Sequence, residues 1–307
     1  MRLSQIQDFI AVAEHGSVRA GAKARQLSPP ALTKSLRALE EELHVPLFTR
    51  TGRGVVITRF GEAFLHRAQL IANEARKASE EMAQMLGGRG SSLHIGASVG
   101  PAYTLLPGVL RRFRAQHPGV QVNLESGIYG SRASQLRSGS MDMAISPVPD
   151  EGVGPGLTSE PLYRNDSVVM AHPLHPLRAA RHLDELADAD WLLTGPGMKG
   201  PGSAILEAFE AEGLAPPRVA LRCDNIGMAQ MLLLANPNLL CLLPRKLLSV
   251  PPLDRFLIAL PIAQRLPSHW VSLIYPSDLP MTPVAADFAT LLRREAHYLI
   301  REAGRAP

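Results

Sequence analysis

The chain has 307 residues, 46% hydrophobic and 20% charged, with a net charge of +4, which is enough apolar material for two or three domains with more than one core. It contains no run of eighteen apolar residues of the kind a membrane helix needs, and Gln5, Gln7, Asp8 and Glu14 interrupt the first apolar stretch, so no secretory leader is read. A cytoplasmic protein is expected. Residues 1–90 hold 13 Lys and Arg against 9 Asp and Glu, while the remainder is balanced at 19 against 19, so the excess positive charge sits at the N-terminal end, where a polyanion would bind.

Taken in chain order, Ser17 is a helix cap, and Val18, Ala20, Ala22 and Ala24 are small enough for that helix to lie close to the one before it. Ser28 caps a third helix, with Pro29 and Pro30 in the first turn, where a missing N–H costs little. Leu32, Leu36, Leu39 and Leu43 recur on one face and leave Thr33, Lys34 and Arg37 on others. Arg50-Thr51-Gly52-Arg53-Gly54 followed by Val55-Val56-Ile57-Thr58 predicts a two-stranded wing with a basic tip. A helix for the major groove and a wing for the adjacent backbone make a reader of double-stranded DNA. The expected contacts are Ser28, Pro30, Thr33, Lys34, Arg37, Arg50, Thr51 and Arg53. The bland alternative is a helical bundle whose charges are a solvated face.

The segment resembles the LysR-type transcriptional regulators. The matching residues are Phe9, Val12, Ala13, Gly16-Ser17, Ala20, Ala24, Leu27-Ser28, Pro30-Ala31-Leu32, Leu39-Glu40-Glu41-Glu42-Leu43, Val45-Pro46-Leu47-Phe48-Thr49-Arg50 and Leu65. One departure is Pro29, where many family members carry Gln, so a groove-facing hydrogen-bond donor is absent.

From Thr58 a helix is expected up to Gly87-Gly88-Arg89-Gly90, with Phe64, Ala68, Ile71, Ala75, Ala78, Met82 and Met85 forming a heptad seam. The seam is read as self-associating, and two reading heads about a two-fold axis favour a roughly palindromic site. The resemblance implies the same dimer, further paired into a dimer of dimers, and RNA polymerase as a partner.

Beyond residue 90 strands and helices alternate. Strands are expected at 93–97, 120–125, 141–146, 167–171, 219–222, 239–243 and 270–275, and helices at 101–116, 131–137, 202–212, 226–235 and from Pro283 towards Ile300. The fold class is α/β, with a winged helix-turn-helix at 1–59, a linker helix and hinge at 60–90, and a clamshell at 91–307. Its lobe I spans 91–162 and 268–307, and its lobe II spans 163–267. The resemblance implies the family's effector-binding domain, similar to periplasmic solute-binding proteins.

A small ligand is expected beyond the strand ends, against Ser98, Val99, Gly100, Ile128, Tyr129, Pro147, Val148, Gly202, Ser203 and Asn225, with Lys199 nearby. Ser98 and Ser203 equally suit plain helix caps. The ligand so implied is an anionic amphiphile. Arg137-Ser138-Gly139, Gly200-Pro201-Gly202 and the run from Asp278 to Pro283 look similar to family members controlling para-toluenesulfonate degradation, which implies an aromatic acid.

No cofactor or metal is expected, and no enzyme: Gly195 to Gly202 lacks the Gly-Lys-Ser/Thr of a phosphate loop, no Gly-x-Ser-x-Gly elbow occurs, and His172 and His175 read as surface loop residues. Cys223 and Cys241 lie in apolar strand-like runs and read as buried free thiols rather than a redox pair. A solute-binding transport protein has no use for the basic module. A DNA-binding protein whose second domain only assembles stays open as an alternative.

Overall fold

The computed structural model describes residues 1–51, 54–85, 91–127, 129–148, 152–195, 201–223, 226–251 and 253–303. Arg53, Ile128, Lys199 and Asn225 lie outside the described residues, as do the side chains of Arg50, Met85 and Tyr129.

Helices α1 (Leu3–His15), α2 (Val18–Ala24) and α3 (Pro29–Leu43) precede strands β1 (Phe48–Thr51) and β2 (Gly54–Ile57) and the long helix α4 (Arg59–Met85). Both caps expected in this module form locally: Ser17 Oγ accepts from Ala20 N at 3.1 Å and Ser28 Oγ from Ala31 N at 3.4 Å. Leu32, Leu36 and Leu39 are buried, as their spacing predicts. The tightest approach between α1 and α2 is at Gly21, where a Cβ would stand 2.8 Å from Val12 Cγ2. Phe9 ties the module together, its ring 5.2 Å from that of Phe48 in the wing and 5.1 Å from that of Phe64 in α4.

That last contact corrects the seam. Phe64 packs on the reading-head core and Ala68 is fully buried within it. The heptad therefore begins as an intramolecular contact, because the first two turns of α4 run alongside α1. Ile71 (41% exposed), Ala78 and Met82 (54%) remain open, with Ala75 half-buried. On another face of α4, Lys77 is buried in an ion pair with Asp142 at 3.1 Å, and Asn73 Nδ2 donates to Ser138 O at 2.8 Å.

The second domain is built from β3 (Ser92–Ala97), α5 (Val99–Thr104), α6 (Leu106–Gln116), β4 (Gln121–Ser126), α7 (Tyr129–Arg137), β5 (Met143–Pro147), β6 (Leu157–Ala171), β7 (Asp190–Thr194), α8 (Ala204–Ala211), β8 (Val219–Cys223), α9 (Ile226–Ala235), β9 (Leu239–Pro244), α10 (Leu253–Phe256), β10 (Ile258–Ala259), β11 (Ser268–Pro276) and α11 (Pro283–Ala303). Among the described residues the strand order is β4-β3-β5-β11-β6-β9-β7-β8, with β10 beside β6. β3 runs parallel to β4 and β5, and β7 parallel to β8 and β9, whereas β6 and β11 are antiparallel to their neighbours. The 15-residue β6 pairs with β11 in its first part and with β9 in its last, so these two strands carry the chain between the lobes.

Several elements differ from expectation, among them the short α10 and β10, for which no element is expected. The single helix over 101–116 is broken at Leu105 (φ −109°), since Pro107 in the second position of α6 has no N–H to continue the ladder. β6 starts ten residues before the expected strand, and β7 was not anticipated. His175 is buried rather than on the surface: Nε2 donates to Asn238 O at 3.2 Å while Nδ1 accepts from Leu177 N at 3.0 Å.

Burial holds the His175 imidazole below its usual pKa, against the opposing pull of the Asn238 carbonyl. The unfolded chain takes up this proton near pH 6.5. The stability supported by neutral His175 is thus complete above that value and is lost as pH falls from there through the folded pKa. Thermal midpoints taken from pH 7.5 to 5.5 are expected to fall less steeply in His175→Asn than in the wild type.

Candidate nucleic-acid interface and interlobe site

On α3, Pro29, Pro30, Thr33, Lys34, Arg37, Ala38 and Glu41 border one open groove, and Thr33 and Arg37 also border a second one formed with Val18, Phe48 and Val55. The helix face thus passes directly into the wing. Lys34 and Arg37 are exposed, and no carboxylate pairs with either among the described residues. Their charges are available for phosphates. Ser28 is occupied as a cap, and the Thr33 hydroxyl donates back to Pro29 O at 2.9 Å, which leaves its oxygen as an acceptor only. Thr51 is exposed, its hydroxyl donating to Gly54 O at 3.2 Å across the wing.

Glu40, in the Leu39–Leu43 run of α3, also positions the wing. Its Oε1 accepts from Leu47 N at 2.7 Å and Phe48 N at 3.1 Å, so α3 holds the first strand of the wing in register with itself. At the other end of the wing, Thr58 Oγ1 accepts from Gly61 N at 3.1 Å to cap α4, and a Cβ on Gly61 would fall 2.3 Å from Leu47 O. Only glycine fits there.

Lys34→Ala is expected to weaken operator binding and to reduce the slope of log affinity against log salt by about one unit, since one phosphate contact releases about 0.9 counterion. Titrations by fluorescence anisotropy at several salt concentrations read both quantities, and an unchanged slope would remove Lys34 from the contacts.

In the second domain Ser98 directly follows β3. It is 7% exposed, its N–H donates to Ile145 O at 2.9 Å, and its side chain does not cap α5. Its buried Oγ has no hydrogen-bond partner among the described residues, an arrangement that a ligand would relieve. Val99 and Gly100 follow, and a Cβ on Gly100 would stand 3.8 Å from Pro244 Cγ of the opposite lobe. α5 has only six residues, so the dipole expected at its N-terminus is small.

Other expected residues fare differently. Pro147 pairs with Val271 at the end of β5, and the half-buried Val148 packs against the cluster of Leu136, Ile274 and their neighbours beneath α7. Gly202 presses on β7: a Cβ there would lie 2.3 Å from Thr194 Oγ1 and 2.5 Å from Thr194 N. A side chain at this position would displace β7, so the packing itself calls for glycine. Ser203 is buried at the start of α8 without capping it.

Sequence reading also missed Lys246, in the turn Arg245–Ser249 that packs on α5. Its Nζ lies 5.1 Å from the centre of the Tyr163 ring. Tyr163 is itself buried on the crossing strand β6, and burial pushes its phenol up to about 12, with Thr104 pulling in the opposite sense. The only signal in sequence was a basic pair following a strand. Cys241 is fully buried, which raises its thiol far above the ordinary range, so it supplies no thiolate.

A three-helix head with a wing, carried on a long helix and followed by two α/β lobes joined at crossing strands, defines a DNA-binding regulator with a small-molecule effector domain. The model of the bacterial regulatory helix-turn-helix proteins of the lysR family matches residues 3–62, and that of the LysR substrate binding domain matches residues 86–297. The chain belongs to the LysR family of transcriptional regulators. It is 30% identical over 282 residues to the HTH-type transcriptional regulator GbpR of Rhizobium radiobacter, which covers 88% of this chain and 91% of that one. It is 31% identical over 244 residues to the SDS degradation transcriptional activation protein of a Pseudomonas species, covering 79% and 78%. The crystal structure of CbnR, a LysR family transcriptional regulator, superposes with a TM-score of 0.68 at 25% identity, over 96% of this chain and 99% of that one. No described helix is long and apolar enough to cross a membrane.

Proposed function

We propose that this regulator works in the cytoplasm as a dimer or a dimer of dimers. In this reading it occupies a roughly palindromic promoter site through α3 and the wing, engages RNA polymerase there, and responds to an anionic, aromatic or otherwise amphiphilic acid between its lobes. Residues 1–59 read DNA, 60–90 link and pair the subunits, and 91–307 bind the effector, with lobe I at 91–162 and 268–307 and lobe II at 163–267. Ser98 leads the proposed effector contacts and Lys34 and Arg37 the proposed DNA contacts.

The observation that carries the effector reading is the buried, unpartnered Ser98 Oγ beside the junction of the two lobes. Lys246 at the same junction supports an anion. A relative named for SDS degradation accords with an amphiphile of that charge. For a ligand to regulate, it must prefer one arrangement of the lobes and heads over another, since equal affinity for both shifts nothing.

A thermal-shift screen of the full-length protein against aromatic and aliphatic carboxylates and sulfonates tests this. A ligand at a hundred times its dissociation constant adds about 2.7 kcal/mol, and the shift is expected to vanish in Ser98→Ala. Silence across the panel would favour a C-terminal domain that serves assembly alone.

A further inference from the structure

Asp8 is 3% exposed in the reading head, and its carboxylate joins all three of its helices. From α1, its Oδ1 accepts Arg25 Nε at 3.0 Å, at the last turn of α2, and its Oδ2 accepts the Ser35 hydroxyl at 2.6 Å, in the middle of α3. Arg25 is fixed further by donating to Gln7 Oε1 at 2.9 Å. Ser35 follows Lys34 directly and lies two residues from both Thr33 and Arg37, the exposed groove-bordering set. A rotation of α3 about its axis moves those three side chains together; the buried leucine stripe decides which face turns inward, but apolar contact, being non-directional, sets the exact angle less sharply than a hydrogen bond does. The directional restraint is the short hydrogen bond to a charged acceptor.

From this geometry we infer that Asp8 is a positioning residue for base readout: it sets the rotation of the recognition helix through Ser35, while Arg25 anchors the carboxylate. It rests on the DNA-reading role of α3. Asp8 is too deeply buried to touch DNA, so its effect is transmitted. Phosphate contacts tolerate a small rotation because Lys and Arg side chains are long, whereas base-edge hydrogen bonds do not. The network therefore governs sequence preference more than overall affinity.

The test uses the full-length chain and two duplexes, one selected by the wild type from a random-sequence pool and one scrambled. Ser35→Ala removes only the hydroxyl, and Ala is the better helix former, so a weaker helix cannot account for a loss. Ser35→Ala and Asp8→Asn are each expected to bind the selected duplex about tenfold less tightly. Affinity for the scrambled duplex and the salt slope should stay as in the wild type. The double variant should be no worse than either single one, as members of one chain of contacts are not additive. Equal losses on both duplexes, or unchanged binding to both, would overturn the proposal. So would additive losses in the double variant, which would mean that Ser35 contacts DNA by itself. If the wild type enriches no sequence at all, the DNA-reading role of α3 is what fails.

Discussion

Asp142→Ala is expected to destabilise the full chain by about 3–5 kcal/mol, the range for removing one partner of a buried ion pair. Both oxygens of Asp142 are engaged, Oδ1 with Lys77 Nζ at 3.1 Å and Oδ2 with His94 N at 2.9 Å. Lys77 and Asp142 are each 8% exposed, so solvent screens the pair little. Truncation strands an ammonium on α4 and a backbone donor on β3 at the same time. Glu74 lies 3.7 Å from Lys77 Nζ, too far to replace a hydrogen-bonded carboxylate. Lys77→Met in the same chain removes the orphaned charge while keeping its volume, and should restore much of the loss. Urea unfolding measures the energies, and hydrogen exchange along α4 localises them, with amides near Lys77 opening first in Asp142→Ala. A loss below about 1 kcal/mol would put the pair in the class of exposed salt bridges and leave the linker helix free of lobe I.

The contrast between this pair and the helix caps explains what the sequence could and could not disclose. Ser17 and Ser28 act on backbone groups three residues away, so their roles were legible from neighbours in the chain. The leucines of α3 were legible because burial follows a helical period. Asp142 lies 65 residues from Lys77, and Asp8 lies 27 from Ser35. No local pattern links such partners, and each reads alone as an ordinary surface charge. β7 escaped notice because its apolar centre, Trp191-Leu192-Leu193, is short and preceded by Asp188 and Asp190. β6 was read too short because Glu160, Arg164, Asn165 and Asp166 break the apolar run where the strand crosses between lobes. Gly202 reads as part of a loop, and its close packing on Thr194 shows only once the fold brings the two together. At the proposed effector site the residue types at one strand end were readable, but Lys246 comes from a turn brought against α5 by two distant crossing strands.

Ala78→Glu is expected to convert the oligomer to a monomer and to lower operator affinity by 10²- to 10⁴-fold. That is the gain from joining two binding events, equivalent to about 2.7–5.5 kcal/mol. With Phe64 and Ala68 packed on the reading head and Lys77 fastened to lobe I, the remaining apolar stripe of α4 is Ile71, Ala78 and Met82. Ile71 and Ala78 are two turns apart and Met82 one turn further, so they form a single strip that a second copy can cover. A carboxylate at its middle must be desolvated for that contact to form, whereas Ser79→Glu, about 100° further round the helix, should leave association intact. Sedimentation velocity gives the assembly state of both variants, and anisotropy on a two-half-site duplex gives the affinity. If Ala78→Glu remains associated, self-assembly must run through another surface, and the sheet edges β4 and β8 are the next to mutate, because they leave Leu124 (49%) and Leu221 (41%) exposed. If Ala78→Glu separates but still binds the duplex at full strength, each head reads DNA independently and the palindromic reading is wrong.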